Sequence, residues 1–200
     1  MFWDKIASLY DLFETVYNKR VFRELGREVA KYVEASDYVL ECACGTGAIT
    51  TQVAPHCKKL VATDYSVGML RQTAGKCKHY DNVLIKKANI MDIHCKDNRF
   101  DKVIAGNVIH LLDDPKGALM ELQRVCKPGG TIIVPTYIND ESKSAGVAAK
   151  LLEMIGADFK RQFSLASYKT FFYEMGYKTV EFNVVKGRMS CAIAVIRNER

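Results

Sequence analysis

Short apolar runs alternate with helical stretches along this chain, and that alternation constrains its fold more than any other feature. Tyr38-Val39-Leu40 ends at Glu41, and Leu60-Val61-Ala62-Thr63 ends at Asp64. Val83-Leu84-Ile85 runs on towards Ala88, residues 100–105 centre on Val103 and Ile104, and Thr131-Ile132-Ile133-Val134 follows Pro128-Gly129-Gly130. Runs this short and this apolar read as strands buried on both faces. The joints between them carry helix signals. Gly45 and Gly47 break the first run, and a helix continues to about Ala54, where Pro55 stops it. Ser66 supplies an N-cap for a helix that turns Leu70, Ala74 and Cys77 inward. Asp114 and Pro115 give N-cap then N1, with Leu119, Leu122 and Val125 on the buried face.

Helical periodicity also opens the chain. Ile6, Leu9, Phe13 and Val16, then Phe22, Leu25, Val29 and Val33, recur at spacings of three or four. Further helices are expected over 141–157 and 165–175, and two late strands over 179–184 and 191–196. Strand, helix, strand with short joints requires right-handed crossovers and a mainly parallel sheet. The expectation is an α/β, doubly wound sheet, mostly parallel with an antiparallel last strand, and helices on both faces. A 200-residue chain can bury roughly 70% of its unfolded surface in one core. One domain is therefore expected over 1–200: an N-terminal helical lid over 1–35, a core over 36–136, and substrate-side helices and final strands over 137–200.

Composition narrows the classes. Apolar residues make up 48% and charged residues 26%, the balance of a folded globular chain. No apolar run approaches the ~18 residues of a membrane span, and the first residues lack the layout of a signal peptide. The seven cysteines have no zinc spacing and no disulfide-scaffold pattern, so they read as buried thiols of a reducing compartment, with no metal, in a cytoplasmic protein. The net charge of +6 is dispersed and not interleaved with aromatics, which argues against a nucleic-acid partner.

The loop after the first strand is the chemical focus. In an open parallel sheet, ligands sit beyond the carboxyl ends of the strands. Here that end is Glu41-Cys42-Ala43-Cys44-Gly45-Thr46-Gly47. A phosphate-binding P-loop needs a lysine that is missing. A dinucleotide loop needs a small residue where Thr50 stands. S-adenosylmethionine, which has no phosphates, needs a close backbone approach and acidic partners. Asp64 closes the second strand, nineteen residues after Gly45, where a carboxylate can accept from two ribose hydroxyls.

The segment Val39 to Gly47 resembles the first motif of the class I S-adenosylmethionine-dependent methyltransferases, which have a Rossmann-like fold. Ala62 to Leu70, Ala88 to Ile93, Phe100 to Ile104 and Leu122 to Gly130 resemble the family's later segments, in order. The type-11 domain, similar to ubiquinone/menaquinone-biosynthesis methylases, is the nearest subgroup, although Gly106 to Leu112 departs from those methylases. The resemblance implies S-adenosylmethionine as cofactor. It places Ala43 and Gly45 at the methionine portion, Glu41 at the ammonium, Asp64 at the ribose, and Tyr65 and Met69 beside the adenine. Asn89 and Ile90 would read the adenine edge, Asn107 would lie near the methionine, and Tyr10 would close over the site.

Methyl transfer from a sulfonium needs a base only if the acceptor must lose a proton, and His110 is the candidate. Two aromatic segments, Trp3 to Tyr17 and Tyr137 to Phe163, are expected to cover a small or lipid-like acceptor. The expected function is methyl transfer to a small molecule. The alternatives are an RNA or protein methyltransferase and a non-catalytic cofactor-binding scaffold.

Overall fold

A computed structural model describes residues 2–12, 18–139, 160–187 and 189–199. Helix α1 (Phe2–Leu12) and α2 (Lys19–Ala30) precede β1 (Tyr38–Cys42). Then come α3 (Thr50–Val53), β2 (Lys59–Asp64), α4 (Val67–Cys77), β3 (Val83–Lys87) and β4 (Phe100–Ala105). Helix α5 (Pro115–Val125), β5 (Cys126–Ile138), α6 (Leu165–Glu174), β6 (Val180–Val185) and β7 (Ser190–Arg197) complete the order. The helix expected over 141–157, and Phe13, Val16 and Tyr17, lie outside the described residues.

The strands form one seven-stranded sheet in the order β3-β2-β1-β4-β5-β7-β6. Pairs from β3 to β5 are parallel, and β7 runs antiparallel to both β5 and β6. The order reverses between β1 and β4, so a crevice opens at their carboxyl ends. Alternate residues of each strand feed opposite faces. Leu40, Val103, Ile132 and Ala194 pack with Leu119 and Leu122 of α5 and with Tyr168 and Phe172 of α6. Val39, Leu60, Ile104 and Ile133 pack on the other face with Leu25 and Val29 of α2. The Tyr168 hydroxyl donates to the Val134 carbonyl, 2.7 Å, which satisfies it inside the core.

Two helix boundaries follow the expected chemistry. Ser66 Oγ accepts from Met69 N at 3.2 Å, and Asp114 Oδ1 accepts from Gly117 N at 2.9 Å. Others differ. The helix after the glycine loop is a single turn that ends before Pro55 as expected, and Pro55 itself sits in a following 3-10 turn, Ala54–His56. Proline fits there because the first turn needs no backbone donor. On α4 the buried position is Thr73, and Ala74 faces out. Leu9 of α1, expected on a buried face, is 49% exposed.

The reason lies in how α1 docks. It lies against α4 through polar groups. Asp4 Oδ1 accepts from Ser66 Oγ (2.7 Å) and from Gly68 N (2.8 Å), at the amino end of α4. Gln72 reaches Ser8, and Lys76 pairs with Asp11. The Gly68 amide and then the Ser66 hydroxyl hold the Asp4 carboxyl down at about 2, so the clasp stays charged around neutrality. Among the described residues no helix is long and apolar enough to cross a membrane.

Candidate active site

The crevice between β1 and β4 is a cavity of about 280 Å³. Its floor is the turn after β1. Ala43, Gly45 and Gly47 all have positive φ (53°, 56° and 87°), so the backbone doubles back tightly. Side chains from other elements pin that turn. Gly45 N donates to Asp64 Oδ2 at 2.9 Å, and Thr73 Oγ1 donates to the Gly45 carbonyl at 2.7 Å. A Cβ on Gly45 would meet nothing within 4 Å, so the main chain there lies bare to the cavity.

Two carboxylates face this space. Glu41 is buried at 1% exposure and accepts from Thr50 Oγ1 at 2.7 Å. Asp64 accepts from Gly45 N on one oxygen and from Ser66 N (2.8 Å) on the other. Burial raises the Asp64 pKa, and the amides of Ser66, Gly45 and Tyr65 work against that. Among the described residues no lysine or arginine lines the cavity.

All ten residues expected around the cofactor line this one cavity: Glu41, Ala43, Gly45, Asp64, Tyr65, Met69, Asn89, Ile90, Asn107 and Tyr10. Some are already engaged. Asn89 Oδ1, expected to face the adenine amino group, accepts from Met91 N at 3.0 Å and so braces its own turn. Asn107 adopts φ 50° and donates its amide to Pro135 O at 2.9 Å, a conformation asparagine tolerates better than most residues. Tyr65 is 53% exposed, with Lys87 Nζ 5.1 Å from its ring centroid. Tyr10 reaches over from α1, its hydroxyl 3.4 Å from that of Tyr137 and its ring edge-on to Trp3.

His110, the expected base, falls elsewhere. It is 3% exposed, its Nδ1 lies 2.9 Å from Thr136 Oγ1, and it lines a second cavity of about 30 Å³ with Tyr137 and Arg161. Burial pushes its pKa down to about 4, so the ring is neutral and weakly basic near pH 7. Thr50, Thr73, Phe22 and Leu111 belong to the site or its support and were not singled out as such from the sequence. Thr50 and Thr73 contribute side-chain hydrogen bonds between separate elements, which leave no periodic trace.

The comparisons agree with this geometry. A family model described as a methyltransferase domain matches residues 40–134. The chain is 35% identical over 140 residues to a demethylmenaquinone methyltransferase of Symbiobacterium thermophilum, covering 66% of this chain and 55% of that protein. It is 27% identical over 207 residues to a demethylmenaquinone methyltransferase of Lactiplantibacillus plantarum, covering 90% and 87%. The chain thus spans little more than half the length of the first of these relatives. A solved methyltransferase of Thermotoga maritima, described as a possible histamine N-methyltransferase, superposes with a TM-score of 0.74 at 19% identity, over 98% of each chain.

The fold and the matched segment define a class I methyltransferase domain, a class whose cofactor is S-adenosylmethionine. The chain matches that domain over residues 40–134 and is similar to quinone-biosynthesis methylases. The residues present suit the cofactor. Among the described residues two carboxylates and no cation line the cavity, which matches a ligand with positive ammonium and sulfonium groups and opposes a pyrophosphate. The bare backbone at Gly45 supplies the close approach.

Proposed function

We propose that this chain transfers the methyl group of S-adenosylmethionine to a small-molecule acceptor. The observation that carries the reading is the cavity itself, which joins the buried Glu41 and the half-buried Asp64 carboxylates and a bare glycine turn to an aromatic rim. In this reading Glu41 attracts the ammonium, Asp64 accepts from the ribose, and Tyr65 and Met69 flank the adenine. Residues 1–35 form a cover, supported by Trp3 and Tyr10 in the cavity wall. When bound, the cofactor supplies a methyl group already activated on sulfonium. The protein's share of the work is alignment, because holding acceptor and methyl in line removes much of the entropic barrier. The relatives' names put quinone precursors among the acceptors to assay.

Calorimetry with S-adenosylmethionine tests the first half, and methyl transfer from labelled cofactor to a panel of metabolites tests the second. Asp64→Ala is expected to weaken cofactor binding by about 1.5–3 kcal/mol, the range of lost hydrogen bonds to a charged group. Unchanged affinity in that variant would remove Asp64 from the ribose. A folded protein that binds the cofactor without transferring its methyl group would favour the scaffold alternative.

A further inference from the structure

The small cavity beside His110 lies one side chain away from the main one. Tyr137 stands between them. Its ring packs edge-on to His110, 5.9 Å between centroids, and to Phe22, 6.1 Å, which lines the main cavity. At about 30 Å³ the small cavity has space for about two waters or a single polar substituent, and not for a ring.

Arg161 brings a positive charge to its wall. The Arg161 amide donates to the His110 carbonyl (3.1 Å), and Nη1 donates to the Leu112 carbonyl (2.7 Å). Both bonds fix it to the turn whose Leu111 and Leu112 face the main cavity. A guanidinium offers five N–H donors in a flat fork. Among the described residues no carboxylate pairs with it, and Asp113, the acid on that same turn, lies 3.5 Å from Lys160 instead. A half-buried guanidinium without a counter-ion gains most from an anionic ligand, and its fork matches the two oxygens of a carboxylate.

We infer that the methyl acceptor carries a carboxylate, which Arg161 binds in this small cavity while the rest of the molecule lies past Tyr137 toward the glycine turn. The inference rests on the methyl-transfer reading and narrows its acceptor class. Arg161 here sets specificity, and His110, held by Thr136, shapes the cavity as a neutral neighbour.

Benzoate and benzamide are suitable probes, since they share a ring and differ in charge. Each is titrated into the full chain, with and without S-adenosylhomocysteine, while the Arg161 Nε–H resonance is followed in arginine-labelled protein. Benzoate is expected to move that resonance and to bind at least tenfold more tightly than benzamide. Arg161→Gln should abolish the preference and leave S-adenosylmethionine affinity within twofold by calorimetry. Equal binding of the two probes, no response to either, or a preference that survives Arg161→Gln would overturn the assignment. The wild-type titrations decide the matter even if the variant fails to fold. Absence of cofactor binding by the wild type would instead remove the methyl-transfer reading, and the benzoate response at Arg161 would still be read separately.

Discussion

Ala43 shows how one side chain can sit in a turn whose geometry favours glycine. Its φ of 53° places an L-residue in the left-handed region, at a cost of roughly 1 kcal/mol or more. The pinning bonds at Gly45 over-determine the turn, so it keeps this shape. Ala43→Gly should therefore relieve strain while loosening the unfolded chain, for a net gain of about 0.5 kcal/mol in urea unfolding. A loss of stability would mean that the Ala43 methyl group packs more than it strains. At this scale, the sequence shows which residue types surround the cavity, because glycines and a carboxylate after strands have few other uses. It does not show where their atoms are already committed. Asp64 reads as a ribose acceptor, yet both its oxygens also hold backbone amides, because hydrogen bonds across nineteen residues obey no spacing rule.

Helices and strands were more legible than the contacts between them. Ser66 and Asp114 announce their helices because capping is local chemistry. The docking of α1 is different. Its apolar spacing suggests a buried stripe, but Leu9 is exposed, and Asp4 caps a helix that starts more than sixty residues later. Gly68 makes this possible, since a Cβ there would lie 2.9 Å from the Asp4 main chain. Gly68→Ala sets two effects against each other. It raises the helix propensity of α4 by up to ~1 kcal/mol. It also pushes α1, with Trp3 and Tyr10, off the cavity. Faster amide exchange in α1 and weaker cofactor binding are expected, even if the melting temperature holds. Unchanged exchange and affinity would show that α1 does not depend on this approach.

The whole molecule was foreshadowed by the strand–helix alternation, and one antiparallel strand in a parallel sheet is what the structure contains. The placement of His110 was not foreshadowed, because a histidine after a strand can turn to either side of it. That placement affects global stability. The unfolded chain takes up a proton at His110 near its ordinary value of 6.5, and the folded protein resists until about 4. Stability should therefore be full above 6.5 and fall as the pH drops through that window. At about 1.4 kcal/mol per pH unit, the loss between pH 7 and 5 comes to about 2 kcal/mol. Denaturant melts at both pH values measure it, and His110→Gln should flatten the difference. An equally steep pH dependence in the variant would assign it to other groups.

The position of β7 sets an order of assembly. It lies between β5 and β6, and among the described residues β6 pairs with no other strand. During synthesis β6 leaves the ribosome first but has no partner until β7 follows it and inserts beside β5. The five strands that frame the crevice pair without either of them. The cofactor half of the sheet thus has its full set of partners early, and the far edge is zipped on in a single late step.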